Sequence, residues 1–253
     1  MNHPRFHCPL PLVAGARFDL PERAAHHASA VLRLRCNDEL TLFDGSGGEY
    51  RARVVANDRR RVTVELRDWS AVERESRLSV TLVQAVQAGD KMDLTIQKAV
   101  ELGVARIVPV LSRRSVARPA GERAWRRLQH WQAVIVSACE QCGRNRLPEL
   151  APIESLDSWL ARPPSAAALR LMLATDAVRS LAAVPAMSVG QPVELLIGAE
   201  GGLAAEELRL ATLSGFLPVS LGPRILRTET AGFAALAALQ ALWGDFKEER
   251  TDV

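Results

Sequence analysis

The 253-residue chain reads as an α/β protein, a mainly parallel sheet with covering helices, preceded by a small β-barrel. Three observations lead there. The first 70 residues hold several short runs that alternate polar and apolar side chains, the period of a half-buried strand. From Leu78 onward, short apolar runs alternate with longer segments of helical spacing, the pattern of parallel strands joined by helices. Between the two lies the polar, charged stretch 71–77, where the domain boundary is placed.

In chain order, residues 21–34 have helical character, with Ala25, Ala28, Val31 and Leu32 on one face. Residues 39–44, 49–56 and 61–66 are strands. Gly45-Ser46-Gly47-Gly48 joins the first two with no helix after it. A phosphate loop needs a helix N-terminus to donate its free N–H groups, so this is a hairpin turn. Residues 78–83 are a strand and residues 90–102 a helix, closed by Gly103. Strands at 106–111, 169–174, 193–197 and 217–221 follow, with helices at 122–142, 203–213 and 231–243. Residues 162–165 and 184–192 are loops. The final helix is almost uniformly apolar and rich in alanine, which predicts burial on all sides or close packing against a second subunit.

Composition bounds the function. Hydrophobic residues are 48% and charged residues 24%, the values of an ordinary globular protein, not of a disordered, collagen-like or coiled-coil chain. The longest nearly uncharged run, 230–244, is shorter than the about 20 residues a membrane span needs. No basic start followed by an apolar stretch opens the chain, so no signal peptide is expected. Four cysteines are too few for a disulfide framework, and a cytoplasmic location is expected.

The net charge of +3 hides an uneven distribution. Residues 1–72 are net +2, 73–150 net +5 and 151–253 net −4. The basic excess peaks between Arg106 and Arg127, with seven arginines against the single acid Glu122. Such a stripe suits a polyanion or is a solvated helix face. Only three of the 32 basic residues are lysines. Arginine's flat fork suits phosphate, and genomic base composition gives the same skew.

Two loops carry the chemistry. Gly198-Ala199-Glu200-Gly201-Gly202 follows one strand and precedes a helix, where ligands of open α/β sheets bind. Glu200 would repel a phosphate, so a ligand with hydroxyls or a positive centre fits better; a plain tight turn is the other reading. Residues 220–231 again join a strand to a helix, packing Gly222, Pro223, Arg224, Arg227, Glu229 and two threonines together. Thr228 or Thr230 can cap the helix that follows, but capping leaves the polar cluster unexplained. Cys139 and Cys142 lie at a helix end without a second pair or a nearby histidine, which argues against zinc or redox chemistry. His26 and His27 are neighbours and face different directions on a helix. No Ser/His/Asp or paired-carboxylate arrangement stands out.

Five stretches in order resemble one family. They are Gly89-Asp90-Lys91-Met92-Asp93 with Ile96-Gln97-Lys98 and Glu101-Leu102-Gly103; Ser112-Arg113-Arg114-Ser115; Glu140-Gln141-Cys142-Gly143-Arg144-Asn145-Arg146 with Pro148-Glu149; Gly198–Gly202; and Leu221–Ala231. Together they resemble the 16S ribosomal RNA (uracil-N3)-methyltransferases of the SPOUT superfamily. Three positions depart from the usual pattern: Ala199 for a proline, Ala88 for a lysine and Ser137 for an acid.

The resemblance implies a PUA-like RNA-binding barrel over 1–72, a SPOUT methyltransferase domain with a deep trefoil knot over 73–247, and a tail over 248–253. It implies a homodimer that binds S-adenosylmethionine and acts on 16S rRNA, within the small ribosomal subunit, with no metal and no membrane. The cofactor residues it implies are Leu173, Ala174 and Thr175; Ile197, Gly198, Glu200, Gly201 and Gly202; and Leu221, Gly222, Ile225, Leu226, Arg227, Thr230 and Ala231. Uridine N3 must lose a proton while negative charge develops on the ring. Glu229 is the candidate base, with Arg227 or Arg144 stabilising the ring oxygens. Arg5, Arg113, Arg114, Arg144, Asn145 and Arg146 are the candidate RNA contacts. A knotted enzyme acting on a ribose hydroxyl or a guanine, and an RNA-binding assembly factor without catalysis, are the alternatives.

Overall fold

The computed structural model describes residues 3–58, 61–163, 168–185, 187–188 and 190–247. The expected tail at 248–253 and parts of the two expected loops lie outside them. The chain divides into two compact units, one of Met1–Glu75 with Val136–Leu147, the other of Ser76–Ile135 with Pro148–Val253.

The first unit is a five-stranded sheet in the order β1-β3-β4-β5-β2. Its strands are β1 (Arg5–His7), β2 (Arg17–Asp19), β3 (Glu39–Phe43), β4 (Glu49–Asn57) and β5 (Val62–Ser70). The alternation read from sequence is the alternation of burial: Ala52, Val54, Val62, Val64 and Leu66 point into the core, while Arg53 faces Glu65 across the ladder on the outer side. The glycine run joins β3 to the antiparallel β4 as a hairpin turn. The helix expected over 21–34 is shorter: α1 (Glu22–His26) passes into a π-helical turn, His27–Val31. Ala24, Ala25 and Ala28 bury against the sheet, but Val31 and Leu32 remain exposed, so their helical spacing does not serve a core face.

The second unit is a parallel sheet ordered β12-β10-β11-β6-β7-β8. These strands are β6 (Val80–Ala85), β7 (Arg106–Leu111), β8 (Glu149–Leu150), β10 (Leu169–Leu173), β11 (Val193–Ile197) and β12 (Leu217–Val219), with β9 (Glu154–Ser155) also pairing with β7. β6, β7 and β11 are nearly continuous apolar runs because helices cover both faces, as parallel sheets require. On one side α2 (Lys91–Glu101) packs against α6 (Thr228–Trp243); elsewhere α4 (Leu156–Leu160) packs against α5 (Ala205–Leu213). The long α3 (Glu122–Cys142) divides between the units at Ile135. No helix among the described residues is long and apolar enough to cross a membrane.

Gly103 ends α2 with φ +80°, and a Cβ there would meet Gln240 Nε2 at 2.9 Å. Gln240, buried on α6, donates to Leu102 O at 2.9 Å and accepts from Ser76 Oγ at 2.8 Å. These bonds fix α6 against the end of α2.

α6 corrects two expectations. It begins at Thr228, not Ala231, and neither threonine caps it by a side-chain bond. It is not buried all round: Gly232, Ala235, Leu236, Leu239 and Gln240 form one buried face, while Ala241 is exposed.

In the first unit a buried polar cluster holds the segment after α3. Arg5, whose side chain is 9% exposed, pairs with Glu49. It also donates to Asn145 Oδ1 at 2.6 Å and to Gly143 O at 3.2 Å. Burial alone would raise the pKa of Glu49, but the Arg5 guanidinium, the Asn145 amide and Arg74 outweigh it and hold the carboxyl below its ordinary value. Its stabilising contribution is therefore present at neutral pH and lost as pH falls through the folded-state pKa. Arg5→Leu is expected to cost about 3 kcal/mol, because it removes the nearest charge partner of a part-buried carboxylate and leaves it Arg74 and Asn145. A urea titration followed by circular dichroism checks this, and the variant's stability should fall less steeply on acidification.

Candidate active site

Because β10, β11 and β12 are parallel neighbours, their carboxyl ends open on one edge of the sheet. Three loops leave that edge and enclose a cavity of about 310 Å³. From the end of β10 come Leu173, Ala174 and Thr175. From β11 come Ile197, Gly198, Glu200 and Gly202, together with Ala199 and Leu203. From β12 and the start of α6 come Leu221, Gly222, Ile225, Leu226, Arg227, Glu229 and Ala231, with Val219, Ser220, Arg224 and Thr228. Gly201 and Thr230, named with these loops from the sequence, are not in its lining.

The glycine loop is a tight turn in which Gly202 N donates to Ala199 O at 2.8 Å with Gly202 at φ +69°. Ala199 is buried in the second unit's core, a place a small side chain fills as a proline would. Thr228 Oγ1 reaches back to Gly198 O at 2.6 Å, tying the first turn of α6 to this loop. That bond is what the hydroxyl does instead of capping.

Glu200 accepts from Ala88 N at 3.1 Å and pairs with Lys91 at 3.5 Å. Burial would raise its pKa, but its own N–H, the Ala88 N–H and the Lys91 ammonium outweigh that and hold it below the ordinary carboxylate value. The carboxylate thus joins the glycine loop to the start of α2 besides lining the cavity, a role its place in the loop did not suggest. Lys91, also in the lining, was missed from sequence as a site residue. Its position in Gly89-Asp90-Lys91 was the available signal.

Glu229 lies in the first turn of α6, and its Oε2 is buried with no hydrogen-bond partner among the described residues. Beside it stand Arg227, the residue before the helix, and the exposed Arg224. Thr175, Ser220 and Thr228 add hydroxyl-bearing residues to the lining, and Leu173, Ile197, Leu203, Leu221, Ile225 and Leu226 add apolar ones.

The Ser112–Ser115 turn is bound to the glycine loop. Arg114 donates to Gly201 O at 2.7 Å. Glu207, 1% exposed, accepts from Arg113 N at 2.7 Å and Ala204 N at 2.8 Å. Arg114 therefore positions a cavity wall, beyond the phosphate contact expected of it. Arg114→Ala is expected to weaken ligand binding at the cavity by about tenfold, the loss of one charge-assisted hydrogen bond, as read by calorimetry.

Three of the expected site residues are buried or nearly so. Arg144 is 4% exposed, and its Nε donates to Glu75 Oε1 at 3.0 Å. Asn145 is fully buried, donating to Val72 O at 2.6 Å. Arg5 is in the same cluster. These side chains hold the segment after α3 within the first unit. Arg113 and Arg146 keep exposed side chains, paired with Asp157 and Glu73. Burial pushes the Cys139 thiol up to about 12, which leaves no reactive thiolate. No group of three or more metal-ligating side chains is gathered among the described residues.

Residues 74–240 match the sequence profile of an RNA methyltransferase domain, and residues 20–67 that of an RNA methyltransferase PUA domain. The chain belongs to the RNA methyltransferase family. Its relatives in this family include the ribosomal RNA small subunit methyltransferase E of Buchnera aphidicola, 32% identical over 89% of this chain and 91% of that one. The protein of the same name from Mycobacterium bovis is 33% identical over 89% and 87%. Among solved structures, the ribosomal RNA small subunit methyltransferase E of Neisseria gonorrhoeae bound to S-adenosylmethionine is 41% identical, with a TM-score of 0.89 over 97% of this chain and 100% of that one. A methyltransferase of Legionella pneumophila, also in complex with S-adenosylmethionine, is 37% identical with a TM-score of 0.91 over the same shares. The fold of this RNA methyltransferase is accordingly a PUA-like unit followed by a methyltransferase domain with a parallel sheet.

Proposed function

We propose that this RNA methyltransferase moves a methyl group from S-adenosylmethionine to N3 of a uridine in 16S rRNA of the small ribosomal subunit. The proposal includes the trefoil knot of the SPOUT superfamily, a cytoplasmic location and a homodimer. The small apolar side chains on the outer side of α6, such as Ala241, support the dimer. The domain division at 72/73 stands as part of the same reading.

The observation that carries it is the cavity. About 310 Å³ lies in the range of small-molecule sites. Apolar side chains such as Leu173, Ile197 and Leu226 suit a purine ring, and loop backbone groups suit its polar edge and the ribose hydroxyls. The unpartnered Glu229 oxygen offers a negative charge beside a cationic ligand or a proton to be removed. The cofactor fits these residues, and when bound it supplies an electrophilic methyl group. Glu229 takes the N3 proton, leaving the nitrogen lone pair to form the new bond. Arg227 faces the charge that gathers on the ring oxygens. N3 is a pairing position, so the uridine enters unpaired or extruded.

Two measurements test this. Calorimetry should show binding of S-adenosylmethionine to the protein alone. Radiolabelled methyl should pass to small subunits purified from a strain lacking the enzyme. No heat of binding would leave an RNA-binding protein without catalysis.

A further inference from the structure

We infer that a second cavity, between the start of α2 and the first half of α3, seats the phosphodiester backbone of the RNA next to the target nucleotide. The inference rests on the RNA-methylating reading and names residues which that reading left out. The cavity holds about 670 Å³ and has Arg118, Arg123, Arg126 and Arg127 on its walls, against the carboxylates of Asp90 and Asp93.

Four arginines face two carboxylates, so the cavity keeps a basic excess. Asp93 is engaged through both oxygens, by His130 Nε2 at 2.6 Å and Trp131 Nε1 at 3.1 Å. Among the described residues Arg126 pairs with Glu122 alone, and both side chains are more than 70% exposed, so the pair holds it weakly. Arg118 donates to the carbonyls of Ser112 and Arg113, which aim its guanidinium without neutralising it. Arg123 and Arg127, one helical turn apart, have no ion pair among the described residues. Val86, Ala117, Pro119 and Trp131 add apolar residues to the lining, with Val86 and Trp131 buried behind it. Cationic forks beside apolar residues match a nucleotide strand: phosphates take the guanidinium groups, and sugars and bases take the apolar residues.

The position of this cavity decides which strand it is. Gln87 lies in its wall. With its amide nitrogen donating to Thr95 Oγ1 at 2.8 Å and Lys91 O at 3.2 Å, its oxygen accepts from Glu229 N at 3.3 Å. Glu229 and Lys91 line the first cavity. Gln87 therefore links the arginine cavity to the backbone of the helical turn that carries the proposed base, which places a strand held by the arginines next to the nucleotide at the first cavity. The basic peak of the sequence acquires a place, distinct from the buried Arg5 and Arg144.

The test is fluorescence anisotropy with a labelled single-stranded RNA of ten uridines, titrated at several salt concentrations. Arg123→Ala with Arg127→Ala should weaken binding by about tenfold or more. It should also reduce the slope of log K against log salt by about 1.4, the value for two phosphate contacts on a single strand. Charge reversal at both sites, Arg123→Glu with Arg127→Glu, should lose more. Arg162→Ala with Arg209→Ala removes two exposed arginines elsewhere and should leave affinity and slope intact. Unchanged binding in the first double variant, or an equal loss in the control pair, would overturn the inference. Calorimetry with S-adenosylmethionine on the same proteins keeps the two readings apart. If the wild-type chain binds RNA through these arginines but takes no cofactor, the methyl-transfer reading fails and the RNA site stands.

Discussion

Glu229→Gln is expected to slow methyl transfer by about 10²–10⁴-fold, with S-adenosylmethionine binding nearly unchanged. That range is about 2.7–5.4 kcal/mol of barrier. The substitution keeps the shape of the side chain and removes only its ability to take a proton. Two features of this residue give the effect its size. Its Oε2 is buried without a hydrogen-bond partner among the described residues, so none of them competes for the incoming proton. It also stands in the first turn of α6, where its side chain lines the cavity. Single-turnover kinetics on small subunits gives the rate, and calorimetry gives the binding. Where solvent hydroxide takes over in the variant, its residual rate should climb as pH rises. Full turnover at neutral pH would remove Glu229 as the base.

Gly198→Ala is expected to reduce cofactor affinity by about 100-fold, roughly 2.7 kcal/mol, and stability by about 1–3 kcal/mol. A Cβ at this position would stand 2.8 Å from the carbonyl carbon of Gly202 and 2.9 Å from Leu203 N. Both are backbone atoms of the same turn, so no side-chain rotation relieves the contact. The turn has to open. Opening it moves Gly198 O away from Thr228 Oγ1 and separates two of the three loops that make the cavity. Gly232→Ala is the control. Its Cβ would meet nothing closer than 3.6 Å, and alanine within a helix is favoured over glycine. That variant should bind the cofactor as well as the wild type and unfold no earlier. If Gly198→Ala behaved like Gly232→Ala, the turn would be more pliable than its geometry indicates.

These expectations rest on a site that was partly legible in the sequence. β7, α3 and β11 match their expected limits residue for residue, because each is a pattern closed by a charge, glycine or loop residue on either side. The loop Gly198–Gly202 stood out for the same local reason: glycines directly after an apolar strand. β1 and β2 have three residues each, too few to show a period. The start of α6 was misplaced because Thr228 and Thr230 look alike as caps; only the tertiary bond to Gly198, 30 residues earlier, distinguishes them. Lys91 and Glu200 are 109 residues apart, so their pairing leaves no mark on local sequence.

The arginines show the limit most plainly. Arg5, Arg144 and Arg123 are the same residue in a sequence: the family resemblance named the first two as RNA contacts, and the third was only one member of the basic stretch. Burial separates them. Arg5 and Arg144 meet Glu49 and Glu75 inside the first unit. Arg123 faces a cavity without an acidic partner of its own among the described residues. A charge count locates a basic region, whereas packing decides which of its members remain available to RNA.

The central claim concerns the atom that receives the methyl group. Small subunits from a strain lacking the enzyme would be incubated with the protein and isotopically labelled S-adenosylmethionine. Their 16S rRNA would then be digested to nucleosides and resolved by mass spectrometry, with fragment mapping to locate the modified position. The account expects the label in 3-methyluridine, at one nucleotide. Label in a ribose-methylated nucleoside, in a methylguanosine, or in no nucleoside at all would contradict it.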